Sequence, residues 1–200
     1  RSFHGSVVGT PIMTLALRES AETFDPNGVV FEAKKDGDAF VLDGTKLFIP
    51  DAQISDLLIL VARTSLSEDG ISLFLVPTEY PGLSVTVMDT ISGDNQCEIV
   101  CEGVRVPQDS VIGEIDGGWP IIARAIERIA AAKCVETLGS AEAVFDMTLD
   151  YAKQRVQFGR PIGSFQAVQH HLANMAVDIE SCRQTTYRAA WKVCEGLAAS

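Results

Sequence analysis

Short apolar runs punctuated by turn residues fill the first part of the chain. Val29-Val30-Phe31 gives way to the polar stretch Lys34-Lys35-Asp36-Gly37-Asp38. Ala39-Phe40-Val41-Leu42 and Thr45-Lys46-Leu47-Phe48-Ile49 flank Asp43-Gly44; apolar runs follow at 57–61 and 71–76, and 83–87 alternates with period two. Such runs predict strands, and Asp43-Gly44 between two of them predicts a two-residue hairpin turn. With no helical stretch between them, they predict an antiparallel sandwich or barrel.

The period changes near Gly117-Gly118, the expected hinge. Ile121, Ile122, Ala125, Ile126 and Ile129 share one helical stripe, and the pattern continues to about Lys153. Phe158-Gly159-Arg160-Pro161 breaks it, and Ser164 is the expected N-cap of a second helix. There Phe165, Val168, Leu172, Met175, Ile179 and Cys182 recur at steps of three and four, a narrow apolar seam suited to a bundle or a subunit interface. Strands first and helices second predict an α+β fold, with a β-barrel or sandwich domain over 1–116 and a helical domain over 117–200.

Composition narrows the function. At 46% hydrophobic the chain has too much apolar content for intrinsic disorder. Its 16 basic and 27 acidic side chains give a net charge of −11, and no Lys/Arg block is present, which argues against nucleic acid as a partner. No apolar run approaches the roughly 20 residues of a membrane-spanning helix. Five cysteines without a CxxC pair predict neither a disulfide framework nor a zinc site, but reduced, mostly buried thiols in a cytoplasmic protein. His170 and His171 are adjacent on a helix and diverge, and His4 stands alone, so no metal is expected. The start at Arg1-Ser2-Phe3-His4 and the end at Ala198-Ala199-Ser200 read as those of a piece of a longer chain.

The stretch from Tyr151 to Ala167 is the candidate for chemistry. Arg155 and Gln157 lie at a tight Gly/Pro turn, with Phe158 beside them. A guanidinium offers a planar fork to two phosphate oxygens, an amide and an aromatic face suit a sugar or a base, and the next helix start favours an anion. The same residues also fit a plain interhelical turn in which Arg155 caps the preceding helix.

This stretch resembles the R-x-Q-F-G-x-P-I turn and the F-Q-A run of the acyl-CoA dehydrogenases, and the resemblance extends through nearly the whole chain. It implies a middle β-barrel domain and about half of a C-terminal four-helix bundle, roughly half of a family member. It implies FAD as cofactor, oxidation of an acyl-CoA to the trans-2-enoyl-CoA, and electron-transferring flavoprotein as acceptor. It also implies a homo- or hetero-oligomer, a dimer of dimers. By the resemblance, Arg155 and Gln157 hold the pyrophosphate and ribose side of a neighbouring subunit's FAD. Phe158 packs nearby, and Phe165 and Gln166 add contacts. Glu127 falls where the family has an acidic substrate contact, and Arg128 lies beside it. The catalytic Glu is expected beyond residue 200, since Ile129, at the family's alternative position, cannot be a base.

The flavin-side loops depart from the family pattern. Arg18-Glu19-Ser20 stands where T-E-P is usual, Thr23-Phe24-Asp25 where G-S-D is usual, and Phe48-Ile49-Pro50-Asp51 where W-I-T-N is usual. Phe24 and Pro50 thus remove two hydroxyl donors. An intact motif for a neighbour's FAD beside altered loops for the chain's own implies a subunit of a heteromeric dehydrogenase. Actinobacterial two-gene assemblies acting on CoA thioesters of steroid side chains are of this type. A non-catalytic binding or structural homologue is the third reading.

Overall fold

Alternating apolar residues build one eight-stranded sheet in the first part of the chain. A computed structural model describes residues 11–21, 23–67 and 70–198; His4 lies outside them. The chain divides into two compact units between Ile122 and Ala123. The first holds β1 (Met13–Ala16), β2 (Glu32–Asp36), β3 (Ala39–Pro50), β4 (Leu57–Arg63), β5 (Ile71–Pro77), β6 (Leu83–Met88), β7 (Gln96–Pro107) and β8 (Val111–Ile112). Their order is β6-β7-β3-β2-β4-β5-β8, with β1 also on β4. The fold is α+β as expected, but the sheet is mixed rather than wholly antiparallel. The chain leaves β3 and adds β4 beyond β2, so β4 runs parallel to both β1 and β2.

Asp43-Gly44 is not a hairpin turn. β3 runs straight through it, and the turn lies at Gly37-Asp38, where Asp36 pairs with Ala39. Gly37 has φ 64 at the first turn position, where a II′ turn takes glycine. Asp43 instead marks a bulge: Leu42 pairs with Val104 and Gly44 with Cys101, so Glu102 and Gly103 oppose Asp43. Its carboxylate accepts the Gly103 N–H at 2.7 Å. A second bulge places Leu47 and Phe48 of β3 opposite Glu98, and Phe48 there has φ 56. A bulge re-aims side chains, and this one turns Phe48 outward.

The core is formed by the inward positions of these strands, among them Phe40, Leu42, Leu60, Phe74 and Ile99, together with Phe31, which precedes β2. Phe40 and Phe74 meet edge to face at 5.2 Å. β7 went unread in the sequence, although Cys97, Ile99 and Cys101 alternate inward, because the bulge shifts the phase to Val104 and Val106. Gly44 has φ 136, and a Cβ there would stand 2.9 Å from the Phe31 ring. Gly44→Ala is therefore expected to cost ~2–4 kcal/mol from strain and overpacking, read as a lower urea midpoint.

Helix α1 (Trp119–Gln154) begins at the end of the first unit and runs through the second, which continues with β9 (Val156–Gln157), β10 (Arg160–Pro161) and α2 (Gln166–Cys194). Gly118 is a close-approach glycine: its N–H bonds Ile71 O at 2.8 Å, and a Cβ would stand 2.9 Å from that oxygen. Ser164 does not cap α2. Its hydroxyl bonds Pro161 O, and Phe165 takes the N-cap position without a side-chain bond. The α2 seam is half-buried from Phe165 to Ile179, but Cys182 is exposed, and the seam passes instead to Arg183 and the buried Thr186. Arg183 pairs with Glu142 of α1 at 2.7 Å. Only Cys97 and Cys101 are buried; Cys134, Cys182 and Cys194 are exposed, contrary to the expectation of mostly buried thiols. All five are free. Among the described residues no helix is long and apolar enough to cross a membrane.

Candidate functional site

The turn after α1 is a miniature β-hairpin. β9 and β10 pair antiparallel, with Gln157 opposite Arg160. Phe158 and Gly159 form the turn with φ 53 and 78, the two positive values of a type I′ turn. Glycine suits such a position; phenylalanine does not, and its left-handed backbone costs ~1–2 kcal/mol. The ring is 92% exposed. It meets Phe165 edge to face at 6.1 Å, and the Arg160 guanidinium lies 4.1 Å over the Phe165 ring. Arg155 anchors the hairpin by its backbone: its N–H bonds Tyr151 O, and its carbonyl accepts the Ile162 N–H, each at 2.8 Å. Its side chain stays exposed, as do those of Gln157 and Gln166. The structure thus gathers Arg155, Gln157, Phe158 and Phe165 at one hairpin, with Gln166 opening the next helix. It adds Arg160, which sequence reasoning missed because that position looked like turn filler.

A second group lies in the same unit. Glu127 and Arg128 line a cavity of about 400 Å³ together with Arg124, Val193, Gly196 and Leu197. Arg124 and Arg128 are one helical turn apart, so both guanidiniums reach one face of α1. Ile129 is half exposed on the same helix and offers no proton acceptor. His170 and His171 are both exposed on α2.

In the first unit, the segment Leu17-Arg18-Glu19 is fastened to β3. The Arg18 carbonyl accepts the Leu47 N–H at 2.9 Å. The Glu19 carboxylate accepts the Val30 N–H at 2.9 Å, the Phe31 N–H at 3.1 Å and the Lys46 ammonium at 2.6 Å. Both side chains of this ion pair are buried. Lys46 also reaches Leu17 O at 3.3 Å and lies 4.9 Å from the Phe31 ring centroid. On the exposed side, the Arg18 guanidinium lies 5.6 Å from the Phe24 ring centroid and 5.1 Å from that of Phe48. Pro50 is exposed at the end of β3. The Glu19–Lys46 pair escaped sequence reasoning, although a lysine at an inward position of β3 signals a buried acid.

Two family models match the chain: "Acyl-CoA dehydrogenase, middle domain" over residues 14–104 and "Acyl-CoA dehydrogenase, C-terminal domain" over residues 116–199. The chain belongs to the acyl-CoA dehydrogenase family. It is 36% identical to the probable acyl-CoA dehydrogenase YngJ of Bacillus subtilis over 189 residues, which covers 92% of this chain and 50% of that one. It is 34% identical to the 3-(aryl)acrylate reductase of Clostridium sporogenes over 190 residues, with the same coverage of 92% and 50%. The structure of butyryl-CoA dehydrogenase from Megasphaera elsdenii superposes with a TM-score of 0.85 at 31% identity, over 94% of this chain and 50% of that one. The chain therefore spans about half the length of these relatives.

The buried pair carries a pH signature. Burial pushes the Lys46 pKa down from 10.5 to about 8, against the pull of Glu19. Burial pushes the Cys101 thiol up from 9.0 to about 12, against the pull of Lys46. Between pH 8 and 10.5 the unfolded chain binds the Lys46 proton more than the folded chain does, so this group's contribution to stability rises with pH. Between pH 9 and 12 the folded chain keeps the Cys101 proton longer, so that contribution falls with pH. Stability is expected to rise from pH 8 to 9, level off to 10.5 and then fall. Cys101→Ala removes the fall, which urea midpoints across this range test.

Proposed function

We propose that the chain forms the middle and C-terminal helical parts of an FAD-dependent acyl-CoA dehydrogenase that converts an acyl-CoA thioester to its trans-2-enoyl-CoA. The observation that carries this reading is the exposed hairpin, a type I′ turn bearing Phe158, with the exposed side chain of Arg155 at its base. The donor set fits FAD. A diphosphate needs a charged fork, which Arg155 offers, a ribose needs an amide such as Gln157, and a planar ring needs an aromatic wall such as Phe158. Phe165 and Gln166 complete the surface, and Arg160 holds Phe165 in place. FAD, when bound, supplies the acceptor for the substrate's β-hydride. The hairpin serves the FAD of a neighbouring subunit in a dimer of dimers. Glu127, with Arg128 and Arg124, faces the acyl-CoA. The α-proton goes to a carboxylate elsewhere, since Ile129 has no basic atom. Electron-transferring flavoprotein takes up the electrons, and three exposed thiols suit the reducing cytoplasm.

A second reading is favoured by the loop at Arg18. A cation on two phenylalanines, and a proline at position 50, replace the hydroxyl donors expected of a flavin pocket. In this reading the chain completes the FAD site of a different subunit, the steroid side-chain enzymes being the substrate analogy. The visible spectrum of the purified protein, alone and coexpressed with the product of the adjacent gene, separates the two. One FAD per chain alone supports the self-sufficient enzyme, and one per two chains only with the partner supports the shared site. Absence of FAD in both preparations overturns both readings.

A further inference from the structure

The cluster of Arg18, Phe24 and Phe48 has the properties of a ligand clamp rather than of a surface accident. Phe24 and Phe48 are 56% and 40% exposed, unusual for two neighbouring phenylalanines. Phe48 is held at φ 56 by the β3 bulge, and Asp51, three residues on, at φ 52. Backbone strain of this kind persists only where the surroundings over-determine it, and it concentrates at ligand clamps. Here the surroundings do so: the Arg18 carbonyl is bonded to Leu47, and Glu19 is locked by Lys46, Val30 and Phe31.

The two rings stabilise the charge of Arg18 but supply no oxygen to its five N–H donors. A guanidinium recognises carboxylate and phosphate through a planar fork. In a chain of net charge −11, an exposed cation fixed on two rings is not part of a general basic surface.

We propose that Arg18, held on Phe24 and Phe48, binds an oxyanion of a ligand, and that this loop is an anion clamp in place of a hydroxyl-lined pocket. Two sources carry that chemistry within the function proposed above, on which the assignment of the natural ligand rests: a diphosphate of the cofactor or of CoA, and a carboxylate at the far end of the acyl group.

The test follows the Arg18 side-chain Nε–H resonance in the full 200-residue chain, assigned by its loss in Arg18→Lys. Inorganic pyrophosphate and glutarate are added separately at constant ionic strength. Saturable movement with pyrophosphate assigns the clamp to a diphosphate, saturable movement with glutarate assigns it to an acyl carboxylate, and movement with both supports a general oxyanion site. Calorimetry should show affinity for the effective anion falling about tenfold in Arg18→Gln. Arg18→Lys should recover part of it, since lysine keeps the charge and loses the fork. Phe24→Leu, which leaves the backbone clamp untouched, should weaken binding about threefold. A resonance that neither anion moves, or that follows both only as it follows sodium chloride, overturns the proposal. The measurement needs neither FAD nor turnover. A chain that holds no FAD in any pairing yet binds an anion at Arg18 refutes the dehydrogenase reading alone.

Discussion

Glu19→Gln is expected to destabilise the sheet-bearing unit by ~3–5 kcal/mol. Removing the charge leaves the Lys46 ammonium buried beside an amide and the Phe31 ring, with Leu17 O as its remaining oxygen partner. The neutral amide also accepts the Val30 and Phe31 N–H bonds less strongly than a carboxylate does. A loss of this size is a large share of the total stability of a domain, about 5–15 kcal/mol. Lys46→Met should cost a comparable amount, because it strands the carboxylate. The double variant Glu19→Gln, Lys46→Met should recover much of the loss, because both charges then leave the interior together. Urea unfolding followed by circular dichroism measures all three. Single-variant losses below about 1 kcal/mol would show that the pair is solvated and does not organise the loop.

That loop marks the limit of what could be read along the chain. Local patterning found β4 to β6, β3 in two pieces and both helices, because burial of one face imposes periods of 2 and 3.6, though it placed a strand at 29–31 where the structure has none and read most of β2 as polar punctuation. It failed where two strands trade a residue. Asp43-Gly44 has the composition of a turn, yet it serves a bulge whose partner, Gly103, lies 60 residues along the chain. β7 carries enough apolar residues for a central strand, but the same bulge breaks their parity at Glu102-Gly103. The hairpin residues were legible because they are contiguous and resemble a family signature. Arg160 on Phe165, and Arg18 on Phe24 and Phe48, were not legible, because a cation–π contact depends on rotamers and on distant segments. Glu19 and Lys46 are 27 residues apart, and only the folded sheet shows that each is the other's counterion.

The hairpin yields the second large effect, one that separates stability from function. Arg155→Ala should lower FAD affinity by about 10- to 150-fold, the equivalent of a charge-assisted hydrogen bond of ~1.5–3 kcal/mol. It should leave the fold intact, because the Arg155 side chain is exposed and its backbone bonds to Tyr151 and Ile162 remain. Phe158→Asn should move the two properties in opposite directions. Asn-Gly is the preferred type I′ pair, so relief of the left-handed phenylalanine is expected to stabilise the protein by ~1 kcal/mol. The same change removes the exposed aromatic wall, and FAD affinity should fall at least about tenfold. Thermal unfolding and the flavin-to-protein absorbance ratio after gel filtration read the two effects separately, each in the oligomer that retains FAD. A Phe158→Asn protein that is both more stable and fully loaded would show that the ring faces no cofactor, and the backbone strain at this turn would then need another cause. A protein that is more stable but depleted of FAD would show why a residue so poorly suited to its turn occupies it: the contact made with the cofactor outweighs the local backbone cost.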